Sequence, residues 1–260
     1  SSKTIPILAI LRKNLLANKS TQIIFTDELP KFIDFEILKN IYGYNFDLKK
    51  INKAEDISAF NGTTIFILQK DEISNIDLKL DIDFFINFHP HFGSILLVNG
   101  EKNESYISEI QHMRRRETIA MTPVNCLANI NSIINKSTFE NNKINTESNK
   151  KCVLNSIADI TVTNTKAIVA SSGLSIQYAI MMGLIHDALE NHKGKPIKFI
   201  VPPNCYGGTN DQARRVAKCI ENVEVLDLPV DSGKDMINSI DITLDKIAME
   251  NSIPYIIVEI

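Results

Sequence analysis

The sequence predicts an α/β protein built on a mostly parallel sheet with helices on both faces. Three observations carry that expectation. In the second half of the chain, short apolar runs alternate with amphipathic stretches of helical length, and strands joined that way need right-handed crossovers and parallel pairing. Runs such as KFIV at 198–201 and YIIV at 255–258 are nearly continuous in apolar character, as strands buried on both faces are. Finally, a Ser-Ser-Gly turn and a Tyr-Gly-Gly-Thr turn each follow such a run, at the carboxyl ends of strands where open α/β sheets bind ligands.

Taken in order, residues 5–17 space Ile7, Leu8, Leu11, Leu15 and Leu16 as an amphipathic opening helix. A short strand follows at 22–26. Residues 29–42 place Phe32, Phe35, Leu38 and Ile41 on one helical face, with Gly43 as the cap. The β-branched run TTIFIL at 63–68 reads as a buried strand, and 81–88 and 94–98 as two more. His89 and His91 flank Pro90 in the turn between them; with no third ligand of matching character nearby, they read as exposed turn residues and no metal site is assigned.

Residues 103–118 form a predicted helix with Asn103 as N-cap and Tyr106, Ile110 and Met113 inward. Arg114, Arg115 and Arg116 close it. Cations gather favourably at a helix C-terminus, and a phosphate or carboxylate contact is the alternative reading of the same triplet. The polar, Asn- and Lys-rich stretch 137–151 reads as a linker. It divides a smaller N-terminal α/β region, 1–136, from a second region, 152–260. There the expected order is strand 166–170, helix 174–191, strand 197–201, helix 210–220, strand 223–228, helix 234–251 and strand 255–260.

Composition narrows the function classes. The chain has 260 residues and a net charge of -3, which gives no electrostatic case for nucleic acid as a partner. Cys126, Cys152, Cys205 and Cys219 form no C-x-x-C pair, so a reduced, cytoplasmic setting is expected. The apolar run at 5–9 is interrupted by Arg12 and Lys13, has the pattern of neither a signal peptide nor a membrane span, and no membrane association is expected.

The chemistry lies in the two turns. The first amides of a helix lack intrahelical acceptors and sit at the positive end of the helix dipole, so Ser171, Ser172 and Gly173 mark an anion site. Neither G-x-G-x-x-G nor G-x-x-x-x-G-K-[ST] is present, which speaks against a dinucleotide or nucleoside-triphosphate site and suits a single phosphate. Tyr206 adds an aromatic ring, and Gly207 and Gly208 permit close backbone approach, though paired glycines also serve turn geometry alone. Together the turns point to a phosphorylated, planar aromatic ligand.

The runs IVASSGLSIQYAIMMGLI, VPPNCYGGTNDQARRVA, VEVLDLPVD and PYIIVEI resemble the first part of the cofactor domain of fold type I pyridoxal-phosphate enzymes. More narrowly they resemble the cysteine and methionine metabolism group that includes cystathionine γ-synthase and the cystathionine lyases. The resemblance implies pyridoxal 5'-phosphate as cofactor, its phosphate held by Ser172, Gly173 and Leu174 and its ring stacked on Tyr206. Glu259 matches the acidic residue that precedes a Pro-containing loop in that group. It further implies elimination or replacement at the β or γ carbon of a small amino-acid substrate, in a homo-oligomer, dimer or tetramer.

The family's cofactor-binding lysine and the aspartate facing the pyridine nitrogen lie downstream of the strand at 255–260, and its Tyr-x-Arg clamp has no counterpart between Arg116 and Thr165. No catalytic residue is therefore assigned. The expectation is a fragment of such an enzyme, inactive alone, or a non-catalytic α/β binding or interaction protein derived from the fold.

Overall fold

The structure is a computed structural model that describes residues 3–53, 56–70, 81–89, 93–117, 123–135, 146–163, 166–170, 172–230 and 236–258. Its strands divide between two sheets. The first has the order β2-β1-β3-β4-β5, from β1 (Thr21–Phe25), β2 (Phe46–Lys50), β3 (Thr63–Leu68), β4 (Phe84–His89) and β5 (Gly93–Val98). All its pairings are parallel except β4 with β5, which are too close in sequence for a parallel crossover and pair antiparallel. The second, β7-β6-β8, is wholly parallel and consists of β6 (Ile197–Val201), β7 (Val223–Asp227) and β8 (Ile253–Ile256).

Period-two alternation sends Ile23, Ile65, Ile67, Phe84 and Ile86 to one face of the first sheet. There they meet α1 (Ile5–Leu16), α2 (Phe35–Asn40) and α3 (Ser105–Arg116). The opposite face, with Ile24, Phe66, Leu68 and Phe85, is closed among the described residues by Ile51, Ile57 and Ile82 from connecting segments. Full burial of each such aliphatic side chain contributes roughly 1.5–3 kcal/mol. In the second sheet, Ile197, Phe199 and Val201 pack on α6 (Gly173–Asn191) and α7 (Gly207–Ala217), while Ile200 faces Ile247 of α8 (Met236–Met249). Among the described residues, helices thus cover both faces of the second sheet but one face of the first.

The α/β class and mostly parallel pairing agree with the sequence; several details differ. The segment 166–170 is not a strand: Ile168 is 72% exposed, and β8 rather than this run borders β6. An apolar run encodes burial without naming a hydrogen-bonding partner, and here the run has none in the sheet. The helix expected over 29–42 shrinks to α2, because Pro30 disfavours helix at the residue before it and Asp34 caps a later start, accepting from the Ile37 amide at 3.0 Å. Asn103 is not the cap of α3. It lies in a 3-10 turn, Glu101–Asn103, and its buried amide donates to Asp83 at 2.9 Å and to the Asn99 carbonyl at 2.6 Å.

Among the described residues the first sheet has more strands than the second, so the N-terminal region is not the smaller of the two in sheet. Residues 146–151, read as linker, open α5 (Thr146–Thr161), and 137–145 lie outside the described residues. His89 ends β4 as a buried residue rather than an exposed turn one; His91 lies outside the described residues. A further helix, α4 (Pro123–Asn135), was not expected. No described helix is long and apolar enough to cross a membrane.

Candidate functional site

Parallel pairing sends β6 into the Tyr-Gly-Gly-Thr turn at its carboxyl end, and that turn is the head of α7. Beside it stands the head of α6. Ser172 is extended (φ -158°, ψ 159°) and caps α6 reciprocally: its hydroxyl oxygen accepts from the Ser175 amide at 3.1 Å, and the Ser172 amide donates to the Ser175 hydroxyl at 3.1 Å. The capping leaves the amides of Gly173 and Leu174, at the first two helical positions, without an intrahelical acceptor. In α7 the Tyr206 carbonyl accepts from Thr209 at 2.9 Å and from Asn210 at 3.3 Å, so the amides of Gly207 and Gly208 are in the same position. Two positive helix ends meet here.

Between them lies a cavity of about 630 Å³, within the usual range for small-molecule sites. Its lining brings together Ser172, Gly173, Leu174 and Tyr206, the four residues singled out in the sequence. Tyr206 is 61% exposed, a ring presented to the site rather than packed into the core. Ile180, Leu184, Phe199 and Tyr255 form an apolar wall, and β8 and the residues after it close one side. Ser171 and Glu259 lie outside the described residues.

The glycines divide by surroundings. A Cβ on Gly173 or Gly207 would meet nothing within 4 Å, so the backbone there is open to a ligand. Gly208 is the reverse: a Cβ would lie 2.5 Å from Tyr206 Cε1, 2.8 Å from Arg116 Nη1 and 3.1 Å from Leu174 Cδ1. At Gly208, therefore, the end of α3, the start of α6 and the start of α7 converge.

That convergence gives the arginine triplet a more definite place. Arg115 lines the cavity and Arg116 reaches the α7 head, and neither forms an ion pair among the described residues. The rest of α3 is tied to α7 by Glu109 with Arg215 and by His112 Nε2 with Asp211 at 3.0 Å. Just past α3, the Glu117 carboxylate takes Arg12 of α1 in a two-pronged pair, Nη1 to Oε1 at 2.5 Å and Nη2 to Oε2 at 2.9 Å. Burial alone would lower the Arg12 pKa, but the Glu117 charge and hydrogen bonds outweigh it and hold the guanidinium firmly protonated. Burial in the same cluster pushes the Tyr44 hydroxyl up to about 12, against the field of Arg12, and raises Tyr178 and Cys219 as well.

Two glutamines were missed in the sequence. Gln177 Nε2 donates to the Thr209 carbonyl at 3.1 Å, joining α6 to α7. Gln212 is fully buried and donates to the carbonyls of Arg116 and Leu174. A signal existed: Gln212 falls with Thr209, Ala213 and Val216 on the buried face of α7, at helical spacing, where a polar residue is out of place unless it is bonded. Comparison of the chain with protein-family models, with curated proteins and with solved structures finds no match.

Proposed function

We propose that this chain binds pyridoxal 5'-phosphate at the paired heads of α6 and α7, as the cofactor region of an enzyme of sulfur amino-acid metabolism that acts on a small amino-acid substrate by β or γ elimination or replacement. The observation that carries the reading is the convergence of the α6 head, the Tyr206 ring at the start of α7 and Arg115 on one cavity. The backbone at Gly173, on the cavity wall, is open to close approach, and a helix head of this kind suits a phosphate. When bound, the cofactor supplies an electron sink for chemistry at the substrate's carbon atoms.

The described residues contribute binding and orientation. The Gly173 and Leu174 amides point at the phosphate position, and the Ser172 hydroxyl, its oxygen already engaged by Ser175, keeps its proton to donate. Tyr206 offers a flat face for the pyridine ring, and the apolar wall excludes water from the far side. Arg115 adds the cationic side chain that a phosphate or carboxylate pairs with. Homo-oligomeric assembly belongs to the same reading. Ile160, Val162, Ile168 and Met249 are each more than 70% exposed, apolar surface of the kind that subunit contacts cover.

The test is titration with pyridoxal 5'-phosphate, followed by visible absorbance and calorimetry, with inorganic phosphate as competitor. Binding that phosphate competes away is expected. Tyr206→Phe should retain affinity and Tyr206→Ala should lose about tenfold, about 1.4 kcal/mol. Equal affinity in all three proteins removes Tyr206 from the site. Absence of binding removes the cofactor and leaves a non-catalytic α/β interaction protein.

A further inference from the structure

Gln212 is fully buried, and its Nε2 spends both hydrogens on main-chain carbonyls of two other helices, Arg116 of α3 at 2.7 Å and Leu174 of α6 at 2.9 Å. The side-chain assignment is fixed by chemistry, since the flipped amide would set its oxygen against two carbonyls. The Arg116 carbonyl ends α3 and has no amide ahead of it in that helix, so Gln212 supplies a donor the helix itself lacks. Its Oε1, also buried, has no partner among the described residues. A residue chosen only to fill space would be apolar and would avoid that orphaned acceptor. What Gln212 adds is the double donation, and Leu174, its second acceptor, belongs to the ligand-facing turn.

We propose that Gln212 is a positioning residue: its carboxamide clamps the last turn of α3 to the first turn of α6, so the N-terminal half of the chain sets the alignment of the anion-facing helix head and of Arg115. The inference rests on the ligand reading above for its consequence in binding, while the clamp itself is independent of any ligand. Gly208 reinforces it, because Arg116 Nη1 and Leu174 Cδ1 close over the same glycine from the two clamped helices. Gln177, by joining α6 to the Thr209 carbonyl, fixes the third helix of the junction.

Native-state hydrogen exchange at low denaturant tests the clamp in the unaltered protein. The Ile176 amide, bonded to the Ser172 carbonyl at 3.1 Å, reports the α6 head, and the Glu117 amide, bonded to the Met113 carbonyl at 2.8 Å, reports the α3 end. If Gln212 couples them, the two amides share one opening isotherm. Separate isotherms overturn the proposal. In Gln212→Met, which keeps the length and loses both donors, the isotherms should part and pyridoxal 5'-phosphate affinity should fall about tenfold at unchanged far-UV circular dichroism. A purely structural glutamine would lower the melting temperature and leave affinity and coupling unchanged, which also overturns it. Should Gln212→Met fail to fold, the exchange isotherms of the unaltered protein decide. Should the unaltered protein bind no pyridoxal 5'-phosphate, the cofactor reading fails and the exchange result still decides the clamp.

Discussion

Replacing Glu117 by Gln tests the buried pair that anchors the end of α3. The side chains of Arg12 and Glu117 are 3% and 0% exposed, so water cannot take over when one partner loses its charge. The amide keeps the shape and one acceptor, but Arg12 stays charged in a site where burial already works against it. Removing one member of such a pair costs about 3–5 kcal/mol. With a urea slope of about 2 kcal/mol per molar, a loss of about 4 kcal/mol moves the unfolding midpoint down by about 2 M. Far-UV circular dichroism in urea reads this directly. The control is Arg12→Met with Glu117→Leu: Arg12 Nε has no hydrogen-bond partner among the described residues, so an apolar pair also removes an orphaned donor, and the double variant should recover most of the loss. A midpoint shift below about 0.5 M for Glu117→Gln, about 1 kcal/mol on the same slope, would show that the charge is not confined as the geometry says. A double variant as damaged as the single one would refute the account of why the single one fails.

Two further outcomes follow from the same geometry. Gly208→Ala should change stability by no more than about 1 kcal/mol, since an early helical position gains propensity and the clashing atoms are ends of side chains, yet pyridoxal 5'-phosphate affinity should fall because Tyr206 and Arg116 must move; calorimetry beside a urea melt separates the two effects. For Asp83, burial pushes the carboxyl pKa up, but the Thr64 amide at 2.8 Å, Lys102 and Asn103 outweigh it and the net shift is downward. A depressed carboxyl stabilises the fold above its ordinary pKa of about 3.9 and loses that contribution as pH falls toward the folded value. Asp83→Asn should therefore cost about 1.5–3 kcal/mol at neutral pH and flatten the acid limb of stability against pH; an unchanged limb would assign it to other groups.

How much of this was legible depended on whether a residue's role was local. The strands at 63–68 and 197–201 appear as read, because β-branched or continuous apolar runs bounded by Gly or Pro suit burial on both faces. Strand β2, FDLKK, escaped notice because an edge strand buries little: of its five residues Phe46 alone is fully buried. The polar run that opens α5 read as linker because its Asn and Lys carry no apolar face, and further along the helix Val153 and Ile160 remain exposed, so no packed face announces it. The run at 166–170 failed for the opposite reason, its apolar letters promising a sheet neighbour that β8 displaces. The heads of α6 and α7 were legible through Ser172, Gly173 and Tyr206, whose roles are set within a few residues. Gln212 was not, since its acceptors at Arg116 and Leu174 lie far along the chain, and for Arg115 the triplet left a helix-end role and an anion contact both open.

That division bears on selectivity at the site. The field at the cavity is mostly main-chain: the amides of Gly173 and Leu174 are fixed in direction by the helix they open. Such donors do not rearrange for a larger anion, unlike lysines on flexible stems. Arg115 supplies one adjustable cation at the cavity, while Arg116 is held against Gly208. A site with rigid amides and one cation suits a single phosphate joined to an apolar or aromatic body better than a diphosphate, which needs neutralising charge along its length. The clamp at Gln212 then matters more than its distance from the ligand suggests. Fixed donors lose their advantage once the helix heads carrying them drift by a fraction of a hydrogen-bond length, and the α3 end, with Arg12 and Glu117 behind it, is what holds them in register.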